Sequence, residues 1–417
     1  MSNYDEKFNL HVKNSPYFSL SLEDREFLKE QSTLYRFSFQ EVKQLVDMSI
    51  DLNMWDEMPF SAVWQDSPNK KIAFKRAREY YEEKKSQPHS YDNFDVSSHK
   101  IEHKFTFVET EKENLGLGMC PVASPKTRCC NLLTLDAVES CGFDCSYCSI
   151  QSFYNQNKIG FDSDFAKKLN ALDLNPNQTY HIGTGQASDS LLWGNRAGIL
   201  EALFDFARAN PNVILEFKTK SDNVGYFLEN DVPKNIICTW SLNTQTIITN
   251  EEHLSASLHK RIAAARALAD RGVIVGFHFH PIVVYENYLH EYKELYDELL
   301  QRFQPDEVAL ISFGTLTFIK PVMKQLRERN FKSKILQMPM EDASGKSSYP
   351  LEIKKEMFTH AYESFKPWHG KVFFYMCMED HSLWKDAFGY QYSTNVDFER
   401  DMLSSYAKKL NMEYLFN

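Results

Sequence analysis

No apolar run in this chain approaches the ~18 residues that a membrane span needs, which argues against an integral helical membrane protein. The first thirty residues are polar and aromatic. They hold no apolar stretch between a basic start and a small-residue cleavage site, so no secretory leader is expected and a cytoplasmic location is. Positive charge is not in excess: 47 Lys+Arg stand against 57 Asp+Glu, a formal net charge of -10. That balance argues against broad nucleic-acid affinity, though a local basic groove remains compatible with it. Cysteine is sparse, eight in 417 residues, which excludes a disulfide scaffold. Long internal repeats and low-complexity tracts are absent. What is present is a 43% hydrophobic fraction, enough for a sizeable core and against global disorder. The length predicts two or three domains at roughly 150 residues each. Six of the eight cysteines fall between Cys120 and Cys148, the clustering of metal chemistry in a reducing compartment.

Residues 1–110 read as a mainly helical region of unknown role, with helices at 22–30 and 39–52, the aromatic stretch 55–64, and a charged segment from Lys70 to Lys85. Residues 86–98 read as a linker or long loop. From Leu132 onward, apolar β-rich runs alternate with helical stretches. Strands are predicted at 132–138, 179–184, 213–219, 236–242, 273–279 and 307–313; the helices follow at 161–172, 196–209, 223–228, 258–271, 288–302 and 319–329. Six strand–helix pairs predict a parallel sheet, because each parallel crossover needs a connecting helix. The expected fold is α/β: an open, partial (βα)6 barrel over residues 111–380 with function at the carboxyl ends of its strands. A doubly wound sheet is the competitor. A further helix at 351–365, an apolar run at 372–378 and a short extension, 381–417, complete the chain.

The sharpest signal is SCGFDCSYCSIQ, where Cys141, Cys145 and Cys148 have the spacing C-x3-C-x2-C directly after the first strand. Three thiolates on one loop can hold three irons of a [4Fe–4S] cluster and leave the fourth open to a small-molecule chelator. Zinc is the other reading, with Cys129 or Cys130 supplying a fourth thiolate. A second metal site built on Cys120, Cys129 and Cys130 lacks a recognised ligand spacing. The segment Lys70–Lys85 holds seven Lys/Arg and three Glu, interleaved with Phe74, Tyr80 and Tyr81. Stacking aromatics among basic residues can grip nucleic acid, while a solvated helix face explains the same charges.

The cysteine spacing, with an aromatic before the third cysteine and a strand before the first, resembles the radical S-adenosylmethionine superfamily. The resemblance implies a [4Fe–4S] cluster on Cys141, Cys145 and Cys148 and S-adenosylmethionine (SAM) on the open iron. One-electron reduction by a flavodoxin- or ferredoxin-type partner would then yield a 5′-deoxyadenosyl radical. The later segments HIGTGQASDS (181–190), FKTKSDNVGYFL (217–228), TWSLNTQTII (239–248), VGFHFHPIVVYENY (275–288) and LISFGTLTF (310–318) are similar, in this order, to spore photoproduct lyase and its lyase-like relatives. This similarity implies that Tyr147 packs on the adenine and that the turn at Gly183 and Gly185 lets backbone meet the methionine amino group. It further implies that Gln186, Ser188, Lys220 (with Lys218 as rival by register), Ser241 and Asn243 contact the cofactor. Cys377 and Tyr285 are the candidate catalytic residues; Glu379, Asp380 and His381 follow Cys377 at a position that resembles a substrate-facing one. His278 and His280 are expected on opposite faces of their strand, one toward the lumen and one toward the helices. Cys238, inside an apolar strand, reads as a buried inert thiol.

The chain departs from the resemblance at two places. Photoproduct lyases carry a hydrogen-donating cysteine near the end of the second strand and a tyrosine directly after the third cluster cysteine. Here those positions hold Gln186 or Ala187, and Ser149. The expectation is therefore an enzyme of this type acting on an unknown substrate, with little or no clean repair of spore photoproduct. The rivals are true thymine-dimer repair and a non-enzymatic, zinc-stabilised nucleic-acid-binding protein.

Overall fold

A computed structural model describes residues 3–94, 96, 104–111, 115, 117–119, 126–149, 157–329 and 331–415. Cys120 and residues 95, 97 and 98 of the expected linker lie outside the described residues. The chain forms two compact units, Met1–Glu102 with Val284–Glu286 and Phe318–Ser348, and His103–Val283 with Asn287–Thr317 and Tyr349–Asn417. The chain thus passes between the units more than once, and the expected limits at 110 and 380 do not coincide with this division. Among the described residues, no helix is long and apolar enough to cross a membrane.

The first unit is built on the helices Leu22–Tyr35, Phe39–Met54 and Lys70–Ser86. Ser38 and Glu41 form a reciprocal capping box that starts the second of these. That helix buries Val42, Leu45, Val46, Ile50 and also Asp51. The Asp51 carboxylate accepts two hydrogen bonds from Arg327, at 2.8 and 2.7 Å, and one from the Tyr81 hydroxyl at 2.6 Å. Arg327 comes from the helix Lys320–Glu328, so a buried charge ties this late segment to the early helices. Of the aromatic residues of the basic segment, Tyr81 is buried and Phe74 and Tyr80 are half-buried. Tyr81 stacks on Trp55, Phe74 meets Phe37, and the Tyr80 hydroxyl donates to the Met58 carbonyl. Lys70 and Lys84 pair with Glu41 and Glu57 at 2.7 and 2.9 Å. The contacts of these three aromatic residues are thus with the unit's own core and loops, and two of the segment's lysines pair with carboxylates of the same unit.

The second unit holds an eight-stranded sheet. Seven strands are parallel: β1 (Leu133–Leu135), β2 (Tyr180–Thr184), β3 (Val213–Thr219), β4 (Ile236–Ser241), β5 (Ile274–Ile282), β6 (Val308–Thr315) and β7 (Phe373–Met376). They lie side by side in chain order, and the short strand Leu117–Met119 adds antiparallel outside β1. A doubly wound sheet reverses its strand order at a switch point; this one does not, so the sheet is a curled partial barrel. The seventh strand falls in the apolar run at 372–378. One predicted element is corrected: residues 158–162 form a strand paired with Thr106–Thr110 and Val138–Glu139, leaving only Phe165–Asn170 as helix. Pairing on both edges overrides the local helical pattern. The C-terminal helix Asn395–Leu410 is integral to this unit. Its Phe398 and Tyr406 are fully buried, and Tyr406 packs edge-on against His181 of β2 and Phe373 of β7.

The inner face of the sheet carries a buried polar chain. Glu216 on β3 accepts from His181 (2.8 Å), from Thr239 (2.7 Å) and from His278 Nε2 (2.8 Å). The other ring nitrogen of His278 meets the Ser312 hydroxyl at 2.5 Å, and Ser312 meets His280 Nε2 at 3.0 Å. His278 and His280 therefore share one face, against the expectation of opposite faces, because residues two apart on a strand point the same way. Burial, reinforced by the Lys218 charge, lowers the His278 pKa to about 4, although Glu216 pulls the other way. Burial opposes charge on Glu216 too, but the hydrogen bonds from His181 and His278 win and hold its carboxyl well below the usual range.

Two outcomes follow from these buried charges. Asp51→Ala strands Arg327 beside a vacated carboxylate site, and chemical denaturation should show a loss of about 3 kcal/mol; a loss within error would show that the pair contributes nothing net. The His278 and Glu216 shifts have the same sign for stability, since the unfolded chain takes up protons that the folded chain declines. Stability should hold above about pH 6.5 and fall as pH drops from there toward about 4. Urea melts across that window should show the fall, and His278→Gln should flatten it.

Candidate active site

The three clustered cysteines lie on a loop that leaves the carboxyl end of β1. Val138–Glu139 anchors its start against the strand at 158–162, and Asp144–Cys145 pairs antiparallel with Glu252–His253. The Ser146 amide donates to the Glu251 carbonyl at 2.8 Å, and the Cys148 amide turns back onto the Cys145 carbonyl at 3.1 Å. Gly142 is required by space, since a Cβ there would stand 2.7 Å from the Trp193 ring. Cys145 is buried and Cys141 and Cys148 are partly so. Burial pushes the Cys141 and Cys145 thiols up, Cys145 to about 12 despite the Lys220 ammonium 3.8 Å from its sulfur. Thiols in such surroundings give up their protons to a metal rather than to water. Among the described residues, no three His, Cys, Asp or Glu side chains gather closely enough for a single metal ion, as a zinc site would require. A cluster differs, because each of three thiolates binds a different iron. The donor set fits a [4Fe–4S] cluster.

Behind the loop sits a fully buried carboxylate, Glu252. It accepts from Arg261 at 2.6 Å and from Lys220 at 3.0 Å, and the Tyr147 hydroxyl donates to it. Lys220 also bonds the Tyr147 hydroxyl, with its ammonium 4.7 Å from the center of that ring. Burial works against the Glu252 charge, but Arg261 and Lys220 outweigh it and hold the carboxyl down to about 2. Arg261 reaches on to the Ser241 carbonyl at 2.8 Å. Asn243 approaches Glu252 at 3.4 Å, donates to the Pro281 carbonyl at 3.0 Å, and accepts from Tyr292. Tyr147, Lys220, and Ser241 with Asn243 thus converge from three chain segments. It is Lys220, not Lys218, that reaches the cysteine loop.

The turn after β2 forms the facing wall. Gly185 has φ +84°, and a Cβ there would lie 2.5 Å from the Ser190 hydroxyl. The Ala187 amide donates to Asp136 at 2.8 Å, and buried Ser188 accepts from the Trp193 indole at 3.4 Å. Gln186 is half-buried. Asp189 fixes the turn to β3 by accepting from the Thr219 hydroxyl and the Lys220 amide, both at 2.7 Å. Gly183 lies on β2 itself. Between β1 and this turn is a small recess, open to solvent, whose lining includes Leu135, Asp136, Thr184, Gly185, Ser188 and Asp189.

Other candidates lie elsewhere. Tyr285 belongs to the first unit, where it is 2% exposed and packs edge-on to Tyr91. Cys238 is wholly buried on β4, offset by one from the inward-facing Thr239. Glu379 is engaged by Lys354 at 2.6 Å and by the Thr315 amide and hydroxyl at 2.7 Å. Asp380 accepts from Ser382 and lies 3.3 Å from His381. Sequence reasoning missed Glu252, Arg261, Asp136 and Asp189. Asp189 lies within the segment 181–190, whose neighbouring residues drew the attention; Glu252 and Arg261 are singled out only by their burial.

A family model described as spore photoproduct lyase matches residues 137–357, just over half of the chain. The curated spore photoproduct lyase of a Geobacillus species is 24% identical over 202 residues, 47% of this chain and 59% of that protein. That of Clostridium acetobutylicum is 26% identical over 167 residues, 39% of this chain and 49% of that protein. The matches thus span about half the length of these curated relatives. A solved spore photoproduct lyase variant with bound AdoMet and dinucleoside spore photoproduct is 19% identical, with a TM-score of 0.55 over 72% of this chain and 94% of that one. A further solved variant gives 18% identity and a TM-score of 0.55 over 76% and 97%. These structures share the partial-barrel fold. With a cysteine loop, glycine turn and strand order of this kind, the chain belongs to the spore photoproduct lyase family of the radical S-adenosylmethionine superfamily.

Proposed function

We propose that this protein is a radical SAM enzyme that binds one [4Fe–4S] cluster through Cys141, Cys145 and Cys148 and abstracts hydrogen from a carbon of its substrate. The observation that carries the reading is the three-thiol loop at the carboxyl end of β1, braced by the Tyr147–Lys220–Glu252–Arg261 network. Bound there and given one electron by an external flavodoxin- or ferredoxin-type reductant, the cluster and SAM supply a 5′-deoxyadenosyl radical. The chain's own residues do the rest. Tyr147, pinned by Lys220 and Glu252, offers its ring to the adenine. The turn at Gly183 and Gly185, with Gln186 and Ser188, offers backbone and polar groups to the methionine end. Ser241 and Asn243 face the cofactor from β4 and the turn after it. The buried inner face, where Tyr406 packs on His181, keeps water from the reactive carbon.

The relatives' names make spore photoproduct the first substrate to test, and nucleic acid a candidate partner. The absence of a thiol at Gln186 and Ala187 speaks against the relatives' route of hydrogen return. Of the candidate catalytic residues, Cys377 lies beyond a strand end of the barrel and Tyr285 lies in the first unit, so Cys377 is the stronger.

Anaerobically prepared protein should be brown, carry about four irons per chain, and release 5′-deoxyadenosine from SAM under dithionite. Replacing any one of the three cysteines with Ala should remove most iron and all release. Colourless protein with stoichiometric zinc overturns the reading. Ser241→Ala and Lys220→Met should each weaken SAM binding by about 1–3 kcal/mol in calorimetric titration, and unchanged affinity in both removes them from the cofactor site.

A further inference from the structure

A second group of thiols converges on the inner face of the second unit, away from the cluster loop. The segment leading into β1 runs beside the chain that follows β7. Thr127 pairs antiparallel with Asp380, and the Lys126 carbonyl accepts from the His381 amide at 2.8 Å. Arg128 donates to the Tyr392 and Ser393 carbonyls at 2.8 and 2.9 Å, and the Cys129 amide to Asn395 at 3.1 Å. Cys130 and Cys377 each stand three residues from the Thr127–Asp380 bridge, on the same side of it. Cys377 is fixed by its amide bond to the Phe313 carbonyl of β6 at 2.8 Å. Cys130 interacts with both Cys129 and Cys377, and together with burial they push its thiol up; Tyr375 and Tyr406 feel Cys130, Cys377 and Glu216. Cys130 and Cys377 therefore lie among the same buried groups as Tyr375, Tyr406 and Glu216.

Carbon-radical chemistry in a closed lumen needs a group that ends it. The amide N–H bonds of Gln186 and the hydroxyl of Ser149 are too strong to give a hydrogen atom to carbon, and Cys238 is offset from the inner face. We propose that Cys377 and Cys130 are the hydrogen-atom-donating pair of this enzyme. The inference rests on the radical SAM reading above. In the step, an S–H bond breaks and a C–H bond forms at the substrate carbon, leaving a thiyl radical on the protein. The neighbouring sulfurs hold that radical in place until a small external dithiol gives it a hydrogen atom, restoring the thiol and leaving the radical on the reductant.

The test has two parts. Cluster-free protein treated with one equivalent of diamide should yield, on peptide mapping, a disulfide joining two of Cys129, Cys130 and Cys377. Links only to other cysteines would overturn the placement. Holoenzyme turned over in D2O with SAM and dithionite, without substrate or added thiol, should give 5′-deoxyadenosine carrying one deuterium, because thiol hydrogens exchange with solvent. The deuterated fraction should fall at least threefold in the Cys130→Ala/Cys377→Ala variant and stay at the wild-type value in Cys238→Ala. The fraction is read per molecule of product, so a slower variant remains informative, and the visible spectrum of the cluster reports folding. An unchanged fraction in the double variant overturns the pair, with the radical SAM reading intact. No 5′-deoxyadenosine from the wild type overturns that reading instead.

Discussion

The site depends on one buried negative charge. Glu252 is about 1% exposed at its side chain, a position that a lone carboxylate cannot occupy in charged form without a large desolvation cost. Arg261 and Lys220 offset that cost, and each is tied to a different part of the barrel: Arg261 to the end of β4, Lys220 to the end of β3. The backbone of Glu252 itself pairs with Cys145. The cysteine loop, Tyr147 and the ends of two strands are therefore fixed by a single set of contacts. Breaking one partner of such a group leaves an unpaired buried charge, so the arrangement behaves as a unit rather than as separable bonds. Precise placement of this kind is what a reaction through a short-lived radical requires, since misplacement of the reacting atoms is lost rate.

A second buried charge, Glu216, does for the lumen what Glu252 does for the cofactor end. Apolar residues of the same volume would fill the lumen with no desolvation cost. The chain instead carries a hydrogen-bonded line from His181 through Glu216, His278 and Ser312 to His280. With His278 neutral, its Nε2–H donates to the carboxylate and its Nδ1 accepts from Ser312, which fixes each ring in one tautomer. The inner wall is thereby polar and ordered, and Tyr406 of the C-terminal helix packs edge-on against its His181.

The expected α/β partial barrel was legible because its strands are short apolar runs separated by amphipathic helices, and the helix 288–302 is found at its expected limits. The cysteine loop was legible because its ligands are adjacent in sequence. Long-range features were not. The strand at 158–162 exists only because Thr106–Thr110 and Val138–Glu139 pair with it, and its sequence reads equally well as the start of a helix. Glu252 and Arg261 look like ordinary surface charges until the fold buries them. The placement of 318–348 with the early helices depends on Arg327 meeting Asp51, which no local pattern announces. The error at His278 and His280 was of another kind, since the period-two rule places both on one face and the structure follows the rule.

The distribution of chemistry around the barrel constrains where a substrate sits. The residues that brace the cysteine loop come from the ends of β3 and β4 and the segments after them, whereas Cys377 follows β7 and its amide bonds the Phe313 carbonyl of β6. The sheet is open and its strands run in chain order, so these two groups occupy different sectors of the curl. On the proposed roles, a substrate that loses a hydrogen near the first and receives one from Cys377 lies across the inner face between them, where His280 and Ser312 stand. Whatever occupies that position meets imidazole and hydroxyl groups already paired with one another. It gains hydrogen bonds only where its own donors and acceptors match a preset pattern, because an unmatched buried polar group costs more than a matched one contributes. Selectivity in such a lumen comes from the fixed tautomers of the wall as much as from its shape.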